Sequence, residues 1–402
     1  MVVIKRVEVR LLPRVIYKLR VMYKLLTFLR IPNDAKGVLL RYVVALITKD
    51  RRSQILAKLR FASMQYRIQT PVLYKATRRQ INDIPLSSAK PKLAVFARRR
   101  AAHFLDPVLE AVKGSFDIYR YYEEPQLVED ASKFSLIWLE WGSSGHVLNM
   151  LGNKARVWVR IHDWELTNHE ILRSVEWNKA ERIIFINPDT MDDFREKVQS
   201  DNRKHLFIPN GINEHQFPYQ ERQGFNREIL MLSEYFQDRK EYPRALRVLG
   251  GIRDYGFHLT IRAEPRGDYK FCLKCRGSLN ADFAEPIIDK LRLTAKDDLI
   301  PEYAKADIVM STSNHEGFHY VIAEGALCGC YPVVIDWEWG RAKEFWGGYV
   351  HEDVATMSQH LIEWSALSNH AKQRESKEAR EYVIRNFGLE ATKKRILQAY
   401  ND

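Results

Sequence analysis

Glu316 and Glu324 stand eight residues apart in the segment ADIVMSTSNHEGFHYVIAEGALCGCYPVVIDW, residues 306–337. A carboxylate set among hydrogen-bond donors accepts paired bonds from the vicinal hydroxyls of a sugar or ribose. Gly317, directly after Glu316, permits close backbone approach, and the free N–H groups at the start of a following helix favour an anionic or oxygen-rich group. This spacing therefore suits the holding of a polyhydroxylated, phosphate-bearing ligand. Taken singly, Glu316 reads as a loop-surface charge and Glu324 as a solvated helix residue, since charged side chains are mostly exposed. The spacing, the glycine and the flanking strands together point to a site.

Such a site needs a strand to bring the chain to it and a helix to lead away. Residues 307–311 are a short β-branched run of the kind buried on both faces of a parallel sheet. Ser-Thr-Ser-Asn-His breaks the run, residues 318–327 have helical periodicity, and residues 332–335 supply the next strand, with Gly329 as the helix stop before it. Glu316 is thus expected on the loop and Glu324 about two turns into the helix. In open α/β sheets, ligands sit at the carboxyl ends of strands, where the next helix begins.

Further apolar runs at 92–96, 135–139, 156–161, 182–186 and 205–208 alternate with polar or helical segments. After a turn at 209–213 and a polar stretch through residue 223, the pattern restarts at 228–232 and 257–261. The alternation predicts an α/β protein with two doubly wound, Rossmann-like domains facing each other across a cleft. The expected boundaries are a basic helical extension at 1–90, a first Rossmann-like domain at 91–222, a second at 223–385, and a C-terminal helix at 386–402 returning toward the first. Residues 376–400 read as one long, charged helix.

Composition bounds the rest. With 402 residues and 46% hydrophobic content, the chain has material for two cores. The formal charge of +12 belongs to one end, because residues 1–100 hold 24 Lys and Arg against 4 Asp and Glu. There, Val15, Leu19, Met22, Tyr23, Leu26 and Leu29 fall on one helical face, with Arg14, Lys18, Arg20 and Lys24 beside or opposite them. A helix of this kind suits an anionic membrane interface. Packing on the body with charges in water and nucleic-acid binding compete with that reading; no RNA-binding motif or helix-turn-helix signature supports the latter. No uninterrupted apolar stretch reaches 18 residues, and the Lys- and Arg-studded start does not read as a signal peptide. The cysteines, at 272, 275, 328 and 330, include one Cys-x-x-Cys pair without a second, which disfavours a zinc ribbon and favours reduced thiols in the cytoplasm.

With these elements in place, Pro209-Asn-Gly-Ile-Asn213 with Phe217, the run from Asp307 to Ser313, Glu316-Gly317-Phe318, Glu324-Gly325-Ala326, Gly329 and Pro332-Val333-Val334 resemble the retaining glycosyltransferases of family 4. The resemblance covers residues 92–400 and implies the GT-B fold. It also implies transfer of a hexose from a nucleotide-diphosphate sugar to a cell-surface glycan or lipid-linked acceptor. No metal or other cofactor is implied, and the chain has no Asp-x-Asp to ligate a cation. By position, Glu324 would contact the donor ribose, and Glu316 with the backbone of Gly317 and Phe318 would hold the hexose hydroxyls. Lys240 would bind the diphosphate, where negative charge builds as the glycosidic bond breaks. His162, in Arg160-Ile161-His162-Asp163, matches the family's cleft histidine and would hydrogen-bond the donor sugar or the acceptor. Glu140, Trp141 and Asp163 make up the acceptor side, with Trp141 either stacked on an acceptor ring or part of the core. Asp336-Trp337-Glu338 either lines the donor pocket or forms an ordinary turn.

The chain departs from the family pattern twice. Ser233-Glu234 stands where Gly-Arg is usual, with Arg239 beside Lys240 as the compensating cation, and Ala97-Arg98-Arg99-Arg100-Ala101-Ala102-His103 replaces a glycine-rich loop. These departures motivate a second expectation, a catalytically weakened glycan-binding or scaffolding protein on the same fold. The basic extension adds the expectation of a cytoplasmic protein held peripherally on the inner face of a membrane, with nucleic acid not expected as a partner.

Overall fold

The structure, a computed structural model, describes residues 89–97, 104–152, 154–162, 169–232, 240–262, 291–294, 299–338 and 341–402. The basic extension to residue 88, Arg98 to His103, Asp163, Ser233 to Arg239, and Cys272 and Cys275 lie outside the described residues. Residues 86–402 form one compact unit.

The apolar runs become the strands of two six-stranded sheets, parallel throughout. The first contains β1 (Lys92–Phe96), β2 (Asp117–Tyr121), β3 (Leu136–Glu140), β4 (Val157–Ile161), β5 (Arg182–Phe185) and β6 (His205–Phe207), in the order β2-β1-β3-β4-β5-β6. Helices α1 (Asp106–Val112), α2 (Glu124–Asp130), α3 (His146–Leu151), α4 (His169–Ser174) and α5 (Pro188–Lys197) connect them. The central strands β3 and β4 are buried along their whole length, as expected of strands covered on both faces.

The second sheet contains β7 (Glu228–Leu232), β8 (His258–Arg262), β9 (Leu291–Thr294), β10 (Ile308–Ser311), β11 (Tyr331–Ile335) and β12 (Val350–His351), in the order β12-β11-β10-β7-β8-β9. Its helices are α6 (Tyr242–Gly251), α7 (Ile300–Lys305), α8 (Tyr320–Leu327), α9 (Ala342–Trp346), α10 (Val354–Ala366) and α11 (Asn369–Phe387), and α12 (Leu389–Asn401) ends the chain. Apolar side chains fill both faces of this sheet: Ile322, Ala326 and Trp346 belong to one core cluster, Ala245, Leu249 and Met357 to another. The two-domain α/β architecture expected from the sequence is the one observed.

Three strands escaped the sequence reading. β2 is an edge strand of mixed composition, β12 is two residues long, and β9 is the far edge of its sheet, so none carries the long apolar run of a central strand. Two further expectations are corrected. The helix after Glu316 begins at Tyr320 rather than Phe318, which makes Glu324 its fifth residue and places it little more than one turn in. The single helix read over 376–400 is two, divided at Gly388. Gly388 is extended, and a Cβ there would lie 2.6 Å from the Ile384 carbonyl oxygen, so only glycine permits the break. Before it, α11 gives Ala379, Val383 and Phe387 to the second domain's core; after it, α12 gives Ile396 and Ala399 to the first domain's core. Among the described residues, no helix is long and apolar enough to cross a membrane.

Candidate active site

From β7 the second sheet grows outward through β8 and β9, then the chain returns to place β10 on the other side of β7. A crevice opens at the carboxyl ends of strands that diverge in this way. Lys240 follows the loop after β7 and Glu316 lies on the loop after β10; they meet with Lys240 Nζ 2.5 Å from Glu316 Oε1. The two residues are only 8% and 5% exposed, so Glu316 is no surface charge. Their neighbours make this burial tolerable. Ser313 Oγ donates to the same Glu316 oxygen at 2.8 Å, and His319 Nε2 lies 3.0 Å from it. The Thr312 hydroxyl donates to the Lys240 carbonyl at 3.0 Å, and Ser311 Oγ is 3.0 Å from His319 Nε2. A buried ion pair persists only with such additional bonds, and removal of one partner strands the other. The Ser311-Thr312-Ser313 run, which in the sequence merely ends a strand, thus holds the two charges in place. Glu241, next to Lys240, adopts a left-handed backbone with φ 48°, a strained conformation for a non-glycine residue.

Glu324 is half-buried on α8, where its Oε2 accepts from the Tyr303 hydroxyl at 2.7 Å. Burial, then the charge of Glu324, pushes the Tyr303 phenol well above its ordinary range, so the tyrosine is a fixed donor. Gly325 follows, and a Cβ there would lie 2.8 Å from Val309 side-chain atoms. Its absence lets α8 lie directly against β10. The Phe318 ring is core, 6% exposed and packed near Trp346 and Phe387, leaving the backbone as its means of meeting a ligand. Asp336 accepts from the backbone N–H of Trp337 and Ala342 and shapes the turn into α9.

On the first domain, Glu140 at the end of β3 is in register with Arg160 on β4. Both strands are wholly buried, so each charge must find its partner inside. Arg160 donates from Nε and Nη2 to Glu140 Oε1 at 3.1 and 2.7 Å. Trp138 Nε1 donates to Oε2 at 2.8 Å, and His162 Nε2 lies 2.9 Å from Oε1. Burial pushes the Glu140 carboxyl up, but the Arg160 charge and the His162 bond outweigh it and hold it down at about 2. The expected acceptor contact through Glu140 is therefore corrected: it is 0% exposed, and its carboxylate is engaged within the protein. Of the two readings of Trp141, acceptor platform or packed core, the structure favours the second. Its ring stacks on His162, with centroids 3.8 Å apart and planes 20° apart, and Phe104 packs at its edge, so it belongs to the wall. Its φ of 74° marks a strain of roughly 1–3 kcal/mol that brings the ring over the imidazole.

The two domains touch beside these groups. Asn187 Nδ2 donates to the Glu316 carbonyl at 3.1 Å, the Phe104 and Tyr320 rings lie 5.5 Å apart, and Arg341, the residue before α9, reaches Asp192 of α5 at 2.5 Å. The sequence reading missed Asn187, Arg160, Tyr303, His319 and the serine–threonine run. Only Asn187-Pro188 carried a local signal, that of a helix cap with proline in the first turn. A cavity of about 720 Å³ lies elsewhere, at the amino-terminal ends of β7 and β10. Its Arg222 donates to the carbonyls of Tyr303, Ala304 and Gly329, so its role there is structural.

No protein-family model matches the chain. Among solved structures it is similar to TarM, at 17% identity over 69% of this chain and 56% of that one, with a TM-score of 0.55. HepE of Anabaena in complex with UDP-glucose matches at 14% identity over 78% and 100% of the two chains, TM-score 0.58. A glycosyltransferase from Rickettsia africae matches at 13% over 78% and 98%, TM-score 0.60. The chain thus spans little more than half of TarM but nearly all of the other two. At these identities the likeness shows the fold, which is GT-B.

Proposed function

We propose that this chain is a retaining glycosyltransferase that moves a hexose from a nucleotide-diphosphate sugar to a glycan or lipid-linked acceptor without a metal ion. The observation that carries the reading is the meeting of Lys240 and Glu316 at the carboxyl ends of β7 and β10. A cation and a carboxylate at a switch point suit a ligand that is phosphate at one end and polyol at the other. Proteins of the same fold include HepE, solved with UDP-glucose.

In this reading Lys240 faces the diphosphate, Glu316 and the Gly317–Phe318 backbone take the hexose hydroxyls, and Glu324 takes the ribose. The bond from the anomeric carbon to the phosphate oxygen breaks, and its electron pair stays on the phosphate. The acceptor oxygen bonds to the same face of that carbon, and its proton passes to the departing phosphate oxygen. The protein contributes position and charge, with Lys240 stabilising the negative charge that develops on the leaving group.

A panel of nucleotide sugars, assayed for thermal stabilisation and hydrolysis, tests the reading. A true donor at about 100 times its Kd adds about 2.7 kcal/mol to stability. The absence of a shift with every nucleotide diphosphate would favour the glycan-binding scaffold instead. Product anomeric configuration by NMR decides retention, and turnover in EDTA decides the metal question. Peripheral membrane attachment through residues 1–90 is also proposed, on their charge; flotation with anionic vesicles, with and without that segment, decides it.

A further inference from the structure

We propose that Tyr303 is a positioning residue for Glu324: its hydroxyl holds the carboxylate in the one orientation that meets a nucleotide's ribose, and so sets the preference for ribose hydroxyls. The inference rests on the glycosyl-transfer reading above, which gives Glu324 the ribose.

Tyr303 lies on α7, before β10, and Glu324 on α8, after it. The phenol is fully buried and donates to Glu324 Oε2 at 2.7 Å. Burial and the Glu324 charge raise it well above its ordinary range, so it keeps the proton that it donates. The last torsion of a glutamate side chain is broad, and a carboxylate left to itself turns about it. The bond from Tyr303 turns Oε2 toward α7 and thereby fixes where Oε1 stands.

One guanidinium anchors both ends of this bond. The Arg222 side chain donates to the Tyr303 and Ala304 carbonyls of α7 at 3.0 and 3.1 Å, and to the Gly329 carbonyl just past the end of α8 at 3.2 Å. Its planar fork fixes the angles between these bonds and so ties α7 to the far end of α8. Gly325 holds the middle of α8 against β10. The reach from Tyr303 to Glu324 is therefore constant. Solvation does not explain the bond from the glutamate's side, because Glu324 is only half-buried and has access to water. What the phenol adds is direction: a carboxylate already aimed costs less to order when the ligand arrives.

Tyr303→Phe removes the hydroxyl and leaves the ring. Full-length wild type and variant are titrated calorimetrically with UDP, ADP, GDP and CDP, each beside its 2′,3′-dideoxy form. Wild type should bind the ribose form of its nucleotide at least about tenfold more tightly than the dideoxy form. In Tyr303→Phe the ribose form should weaken about fivefold to tenfold while the dideoxy form stays within about twofold. Equal weakening of both forms would assign Tyr303 to packing alone and overturn the proposal, as would no weakening. If Tyr303→Phe does not fold, Glu324→Met with and without Tyr303→Phe decides. A residue that acts through Glu324 has nothing further to lose there, so both variants should lack the ribose preference equally. A preference that survives in Glu324→Met, or that differs between the two, would refute the positioning role. A wild type that binds nucleotide without preferring ribose refutes this inference and leaves the transferase reading standing. A wild type that binds no nucleoside diphosphate refutes that reading, and the inference falls with it.

Discussion

Asn187 of the first domain donates its side-chain amide to the backbone carbonyl of Glu316 in the second, at 3.1 Å. Its other end caps α5, where Oδ1 accepts from the backbone N–H and the hydroxyl of Thr190 at 2.8 and 3.1 Å. One fully buried asparagine therefore starts a helix on one side of the cleft and seats the glutamate loop on the other. Bringing the domains together and fixing Glu316 become a single event.

Two substitutions separate these roles. Asn187→Ser keeps a capping oxygen but has no amide to reach Glu316, so it should lose about 1–3 kcal/mol of stability with the interdomain bond, and donor kcat/KM should fall about fivefold to tenfold. Asn187→Ala should show the same kinetic loss and a further destabilisation of about 1 kcal/mol. Thermal unfolding and initial-rate kinetics measure both, and a serine variant as active as wild type would break the link.

The Lys240–Glu316 pair predicts a stability effect alongside the catalytic one. Lys240→Ala leaves a buried carboxylate without its cation and should cost about 3–5 kcal/mol of stability. Sugar transfer should fall by a factor of about 100 or more, since the cation proposed to stabilise the developing phosphate charge is lost. Lys240→Met combined with Glu316→Leu removes both charges and should recover much of the stability while transfer stays lost. Turnover by the double variant would exclude the pair from the mechanism.

Arg341 joins the domains electrostatically, with Nη1 2.5 Å from Asp192 Oδ2 and Nε 3.4 Å from Asp189 Oδ1. The guanidinium is 27% exposed, so Arg341→Ala should change global stability by about 1 kcal/mol or less. Its effect should appear instead in salt dependence. Salt screens such a seam, so wild-type donor KM should rise with ionic strength, whereas the variant's should start high and stay flat. Parallel salt curves would show that the seam does not report on donor binding.

Acid should unfold the protein in two stages. Burial, with the His360 ring 4.6 Å away, holds the His351 imidazole down at about 4, against 6.5 for an ordinary histidine. Between those values the unfolded chain binds a proton that the folded chain refuses, so stability is full above pH 6.5 and falls as pH drops toward 4. Glu140, held at about 2 against 4.5, contributes stability that is present above pH 4.5 and lost as pH falls through 2. Urea midpoints measured from pH 8 to pH 3 should decline along the first limb. His351→Leu should make that limb shallower, with His360 and His205, also held down by burial, keeping part of it, and should leave the decline below pH 4.5 intact.

By itself the sequence determined the alternation of strands and helices and the position of Glu316 and Glu324 after a strand. A buried apolar run such as Ile308–Met310 is legible without its neighbours, because covering both faces favours apolar residues at successive positions. Edge strands such as Asp117–Tyr121 escaped for the converse reason: with one side open, nothing forces a pattern. What only the tertiary structure decided is which charges meet water and which meet each other. Glu140 and Arg160 lie 20 residues apart and face each other through parallel register, and Asn187 finds Glu316 across 129 residues. Burial and pairing depend on what packs against a side chain, and the composition of its own segment carries no record of that. Glu140 thus read as a ligand contact at a strand end, whereas the fold places it beneath His162, with no surface left for a ligand.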